Sequence, residues 1–272
     1  MLTLQVSKGA SRVRIPPSPQ DDPDIRGVDT TELAWAAGVY DAEGSASTYL
    51  PKRRKTRVRQ MAVYQSGDAM PPPLLFRFRA AVGDVGLIHG PARGSLFQWH
   101  SKRHVVVETV SERLWPWIGD LKRAQLRNAA LDVGRLAPSD GTERWTVPEQ
   151  AAWAAGFFDG EGSVLIEGDP RWPAVTMSIP QASVCGIPPV LQRFRDIVGA
   201  GTISGPRMVP SPWSKLPQFR WQLTRFVDVE RIIAMLYPYA DVVKREQMMK
   251  RLERVRSKRS DRRSSVLPSR SR

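Results

Sequence analysis

The chain has 272 residues and an ordinary apolar fraction of 41%, enough for two modest domains or one domain with internal pseudo-symmetry. Its formal net charge of +14 at pH 7 points to a polyanionic partner. The single cysteine, Cys185, excludes a disulfide framework and a thiolate zinc site; three histidines are too few for a His-rich metal centre, and no apolar run approaches the roughly 20 residues of a membrane span. Residues 1–28 hold no periodic apolar pattern and contain Pro16, Pro17, Pro19 and Pro23, so they are expected to be disordered. A helix opens at Asp29, with Glu32 at capping-box spacing, runs through the small residues Ala34, Ala36, Ala37 and Gly38, and stops at Gly44. Strands are expected at 45–53 and 57–66. A helix with Phe78 on its apolar face ends at Gly83, followed by strands 85–90 and 95–101. Another helix reaches Leu114-Trp115-Pro116-Trp117, and a basic helix begins near Lys122. Residues 137–145, with Pro138, Ser139, Asp140 and Gly141, read as a linker. The plan then starts again. A helix capped by Thr146 with Glu149 stops at Gly162, and strands 163–168 and 173–182 follow. A helix with Phe194 ends at Gly199, strands 201–205 and 218–224 come next, and a helix reaches Leu236-Tyr237-Pro238-Tyr239 before a basic helix from Lys244. Residues 251–272 hold about half of the excess positive charge and are expected to be a disordered basic tail.

The two halves are copies. Trp35-Ala36-Ala37-Gly38-Val39-Tyr40-Asp41-Ala42-Glu43-Gly44 returns as Trp153-Ala154-Ala155-Gly156-Phe157-Phe158-Asp159-Gly160-Glu161-Gly162. Gln65 corresponds to Gln181, Gly90-Pro91 to Gly205-Pro206, Phe97-Gln98-Trp99 to Phe219-Arg220-Trp221, and Lys122-x-x-Gln125 to Lys244-x-x-Gln247. The order is kept throughout, so the chain reads as repeat 1 over 29–136 and repeat 2 over 146–250, each αββαββα with an extra helical segment.

Each repeated phrase ends in two acids separated by one small residue. Its Ala and Gly residues let two helix backbones approach closely, so packing of the copies about a pseudo-two-fold axis would bring their acidic ends side by side. Carboxylates at a helix C-terminus repel one another and the helix dipole. A divalent cation relieves that repulsion, and on a basic chain its use is to hold a phosphodiester.

The two phrases resemble the motif of the LAGLIDADG homing endonucleases in their single-chain form with two motifs. Ala37 and Ala155 match its Ala, Gly38 and Gly156 its Gly, Asp41 and Asp159 its first acid, and Gly44 and Gly162 its final Gly. Ala36 and Ala154 stand where Leu is usual, and Glu43 and Glu161 replace the second acid with a side chain longer by one methylene. The resemblance covers nearly all of 30–250. It implies an α+β fold of two pseudo-symmetric αββαββα LAGLIDADG repeats forming a DNA-binding saddle. It also implies cleavage of both strands of a long, non-palindromic site by metal-dependent phosphodiester hydrolysis, with Mg²⁺ or Mn²⁺.

Carried over residue by residue, Glu43 and Glu161 become the metal ligands, with the backbone carbonyls of Ala42 and Gly160 beside them. Asp41 and Asp159 become helix-end structural acids, while Gln65, Gln181, Lys122 and Lys244 become the remaining catalytic candidates. Candidate DNA contacts are Arg53, Arg57, Arg59, Arg93, Gln98 and Lys102 in repeat 1. In repeat 2 they are Arg171, Arg207, Lys215, Arg220 and Gln222. The basic tail would add a non-specific DNA arm. His89, His100 and His104 read as polar surface or core residues, and Trp99 and Trp221 as core. The expected partner is double-stranded DNA, the expected state a monomer, and the expected setting a bacterial or phage-type cytoplasm. The alternative is a catalytically silent DNA-binding regulator or an RNA splicing cofactor binding intron RNA.

Overall fold

The computed structural model describes residues 13–15, 29–52, 55–92, 94–129, 145–169, 171–208 and 216–266. The chain divides into two compact units, Met1–Gly160 and Glu161–Arg272. The expected linker at 137–145 lies outside the described residues, apart from Trp145.

In the first unit the elements are β1 (Val13–Ile15), α1 (Thr30–Glu43), β2 (Gly44–Tyr49), β3 (Val58–Ser66), α2 (Pro73–Ala81), β4 (Leu87–Ala92), β5 (Leu96–Ser101), α3 (His104–Leu114) and α4 (Asp120–Asn128). They are followed by α5 (Val147–Glu161), all of which but Glu161 belongs to this unit. The strands form one antiparallel sheet in the order β1-β4-β5-β3-β2. β2 stops earlier than expected because Pro51 has no N–H for the ladder. β1 corrects the reading of 1–28 as wholly disordered: Val13–Ile15 pairs antiparallel along the edge of β4, whose backbone groups would otherwise be unpaired. The other residues of 1–28 lie outside the described residues.

Burial alternates along β5, with Phe97, Trp99 and Ser101 inside and Leu96, Gln98 and His100 half-exposed. Phe78 of α2 meets Trp99 edge to face at 4.9 Å, and Trp99 donates to Val85 O at 2.8 Å, so both tryptophan body and polar tip are satisfied. At the N-terminus of α1, Asp29 accepts from Thr31 N at 2.8 Å. The expected partner in a capping box, Glu32, instead forms a two-point pair with Arg77, whose guanidinium lies 3.9 Å above the Trp35 ring. The capping box is present at α5, where Thr146 N donates to Glu149 at 2.8 Å and Glu149 N donates back to Thr146 Oγ1 at 3.4 Å.

The second unit contains β6 (Ser163–Glu167), β7 (Ala174–Ala182), α6 (Pro189–Val198), β8 (Thr202–Arg207), β9 (Gln218–Leu223), α7 (Phe226–Leu236) and α8 (Val242–Val266). Its antiparallel sheet runs β6-β7-β9-β8. The core pair repeats as well: Phe194 meets Trp221 at 4.8 Å, and Trp221 donates to Ala200 O at 2.9 Å. Both sheets shift register at the matching Gly-Pro, between His89 and Ala92 and between Ser204 and Arg207.

α8 corrects the reading of 251–272 as a disordered tail, since the helix runs on to Val266. Met248, Leu252 and Val255 fall on one helical face and are buried, which the dense charge around them hid in the sequence. Arg256 pairs with Glu230 of α7 at 2.8 Å, and the Arg259 guanidinium lies 3.8 Å over the Phe226 ring. Leu252→Ala is therefore expected to lower the stability of this unit by about 2–4 kcal/mol, measured by thermal denaturation. An unchanged melting temperature would mean that the end of α8 is not docked.

Candidate active site

α1 is buried all round from Leu33 to Asp41, as a helix built from small and apolar residues requires. It packs on α5 so closely that the backbones touch. A Cβ at Gly38 would stand 2.1 Å from Trp153 O, and one at Gly156 would stand 2.0 Å from Trp35 O. Only glycine fits either position. At the far end, a Cβ on Gly160 would lie 2.5 Å from Ala42 Cβ and 3.2 Å from Glu43 Cγ, so the contact persists to the last turn of α1.

The first acid of each phrase is buried and committed to structure. Asp159, 3% exposed, accepts from Trp35 Nε1 at 2.7 Å, and Asp41 accepts from Trp153 Nε1 at 3.0 Å. The tryptophan opening each copy thus binds the aspartate closing the other. Asp41 also accepts from Gly119 N, at 2.9 and 3.0 Å on its two oxygens. Gly119 is the N-cap of α4, which has no side-chain cap of its own, so the Asp41 charge faces the positive end of that helix. Burial, followed by the charge of Asp41, pushes the neighbouring Tyr40 hydroxyl well above its usual range. Asp41→Ala would remove the acceptor that Trp153 Nε1 and Gly119 N share. We expect it to cost about 2–4 kcal/mol in chemical denaturation; no loss would remove the clasp from the account.

The second acid has a different setting. Glu43 is half-buried at the end of α1, and Gln65 of β3 donates to its Oε1 at 3.2 Å in the amide orientation that satisfies both groups. α4, anchored by Asp41, delivers Lys122 to Gly44 O at 2.5 Å, one residue beyond Glu43. The second unit builds the same arrangement. Glu161 is half-buried, and Lys244 of α8 donates to Gly162 O at 2.6 Å. Gln181 occupies the β7 position opposite Phe219, as Gln65 does opposite Phe97 on β3. Each copy thus pairs an acid with a lysine on the carbonyl of the next glycine.

The charged DNA-contact candidates separate. Arg59 is not available on the open sheet face: it reaches His104 Nε2 at the start of α3, and His104 Nδ1 pairs with Glu108 at 2.9 Å. Arg59, expected as a DNA contact, has a strand position on the helix-bearing side with Thr48 and Met61. It lines a cavity of about 900 Å³ with Arg57, Lys102 and His104. Arg171 is neutralised in the β6–β7 turn by Asp169, at 3.0 and 2.8 Å, and its hydrogen bonds hold that carboxyl below the usual range. Arg207, Arg220, Gln222 and Gln98 are strand residues on exposed or half-exposed positions. Arg53, Arg93 and Lys215 lie outside the described residues. No helix among the described residues is long and apolar enough to cross a membrane.

The reciprocal Trp–Asp clasp escaped the sequence reading, although its signal was present: Trp35 and Trp153 recur in step with Asp41 and Asp159.

No family model and no curated protein matches the sequence. Solved structures do. The LAGLIDADG meganuclease I-AabMI bound to uncleaved DNA is 15% identical over 84% of this chain and 92% of that chain, with a TM-score of 0.64. The LAGLIDADG homing endonuclease I-GzeII in complex with its DNA target is 15% identical over 87% and 93%, with a TM-score of 0.59. I-SmaMI bound to an uncleaved DNA target in the presence of calcium ions is 16% identical over 86% and 94%, with a TM-score of 0.55. At these identities the likeness is one of fold, and the chain has the mixed α+β fold of the LAGLIDADG homing endonucleases.

Proposed function

We propose that this chain is a site-specific DNA endonuclease that makes a double-strand break in a long, non-palindromic site, using Mg²⁺ or Mn²⁺. The observation that carries this reading is the acid and lysine built twice: Glu43 with Lys122 on Gly44 O, and Glu161 with Lys244 on Gly162 O. A cut of both strands needs one such set for each strand. Structural neighbours in complex with DNA, one of them in the presence of calcium ions, support the same reading.

The donors of each repeat fit a hard divalent cation. Glu43 offers carboxylate and Ala42 carbonyl oxygen in the first copy, as Glu161 and Gly160 do in the second. Among the described residues no group of three or more His, Cys, Asp or Glu side chains gathers to hold a metal. Mg²⁺ takes one or two carboxylates and fills its remaining positions with water and phosphate oxygens. Bound there, the cation would neutralise charge developing on the phosphate and activate water for in-line attack. The chain's own contribution is orientation. Gln65 holds Glu43, Asp41 fixes the helix that carries Lys122, and Lys122 and Lys244 place positive charge where the phosphate charge grows. Both motif copies lie in one chain, so the working unit is read as a monomer.

The test is incubation of the purified protein with Mg²⁺ and a plasmid bearing the uninterrupted insertion locus of its own gene. Linear product is expected. Binding without cleavage under any divalent metal would favour the silent regulator, and selective binding of intron RNA would favour the splicing cofactor.

A further inference from the structure

One face of the first unit's sheet gathers histidine and glutamine side chains. Strand alternation places Gln60 of β3, His89 of β4, and Gln98 and His100 of β5 on that face, where they line a depression of about 260 Å³ with Leu87 and Lys102. The nearby arginine of β3, Arg59, is turned to the other side and held by His104. His89 and His100 meet edge to face across the strands at 6.3 Å. His89 Nδ1 is buried with no hydrogen-bond partner among the described residues. An imidazole ring can meet a base edge as donor or acceptor, according to which of its nitrogens carries the proton. Matching the strands through Phe97 and Phe219, and through Gly90 and Gly205, puts Arg220 where Gln98 stands, Gln222 where His100 stands and Ser204 where His89 stands. The second unit has no such histidine pair.

We infer that His89, His100 and Gln98 are specificity-determining residues of the first repeat, reading purine edges in one half of the DNA site. This rests on the DNA endonuclease reading above. A two-stranded ribbon fits the major groove, where a guanine shows N7 and O6 as acceptors and an adenine shows N7 and an amino donor. An imidazole donor suits the first, and a Gln amide, with both donor and acceptor, suits the second. Side chains without a fixed charge add sequence preference, while the surrounding arginines and lysines supply the salt-dependent attraction for phosphates.

The experiment is selection from a randomised duplex pool with wild type, His89→Ala, His100→Ala, His89→Gln and Arg220→Ala, each first checked for an unchanged melting temperature. Wild type is expected to select a non-palindromic consensus. His89→Ala and His100→Ala should relax it by roughly tenfold at adjacent positions of one half only, with an unchanged salt slope, and His89→Gln should shift the preference toward adenine. Arg220→Ala should relax the other half. Histidine variants that keep the full wild-type consensus would overturn the inference. So would a uniform loss across all sequences with a shallower salt slope, the signature of a phosphate anchor. If wild type binds duplex DNA and selects no sequence, the endonuclease reading itself fails, before any variant is compared.

Discussion

Glu43→Gln and Glu161→Gln should each abolish double-strand cleavage while leaving DNA affinity within a few-fold of wild type. The substitution keeps size and hydrogen-bonding capacity but removes the charge that would hold a cation. Gln at position 43 can still accept from Gln65, so the end of α1 should keep its shape. We expect cleavage to fall by roughly a thousandfold or more, about 4 kcal/mol of lost transition-state stabilisation. Each repeat supplies its own acid and lysine, so an accumulation of nicked plasmid in either variant would show that the two sets act independently. Full linearisation by either variant would remove the metal assignment. Fluorescence anisotropy on the same duplex, measured in parallel, separates loss of chemistry from loss of binding.

Gly38→Ala is expected to lower stability by about 3 kcal/mol, a fall of about 6–12 °C in melting temperature. Two effects oppose each other. Alanine in a helix is favoured over glycine by about 1 kcal/mol. Against that, the new methyl would sit 2.1 Å from Trp153 O and 2.7 Å from Phe157 N, both backbone atoms that no rotamer change can move aside. The helices must separate, and separation stretches the hydrogen bonds from Trp35 to Asp159 and from Trp153 to Asp41. Activity should fall more steeply than stability at temperatures where the variant is folded, because Asp41 positions α4 and α4 carries Lys122. A melting temperature equal to or above that of wild type would contradict the close helix contact.

Much of this architecture was legible in the residues because the chain states it twice. Alternation in Phe97-Gln98-Trp99 and Phe219-Arg220-Trp221 identified β5 and β9 and their inward faces, and the tryptophans are buried as that pattern requires. What stayed hidden depended on distant partners or on competing signals. The Trp35–Asp159 bond joins residues 124 positions apart, and nothing local to either residue announces it. Glu32 has the spacing of a capping box, yet a two-point bond to Arg77 outcompetes a backbone N–H. Arg59 lies in a basic run that suggests DNA contact, while strand parity turns it toward α3. The continuation of α8 was hidden because three buried apolar residues lie among its thirteen charged ones, and composition outweighs periodicity when both are read together.

The most direct test of the central claim is cleavage of a plasmid library carrying randomised target inserts, with the linear product recovered and sequenced. With Mg²⁺ the wild-type protein should yield linear DNA whose inserts share a long, non-palindromic consensus, and chelation of the metal should leave the plasmid supercoiled. Protein–DNA complexes that form while the plasmid stays supercoiled in both Mg²⁺ and Mn²⁺ would contradict it.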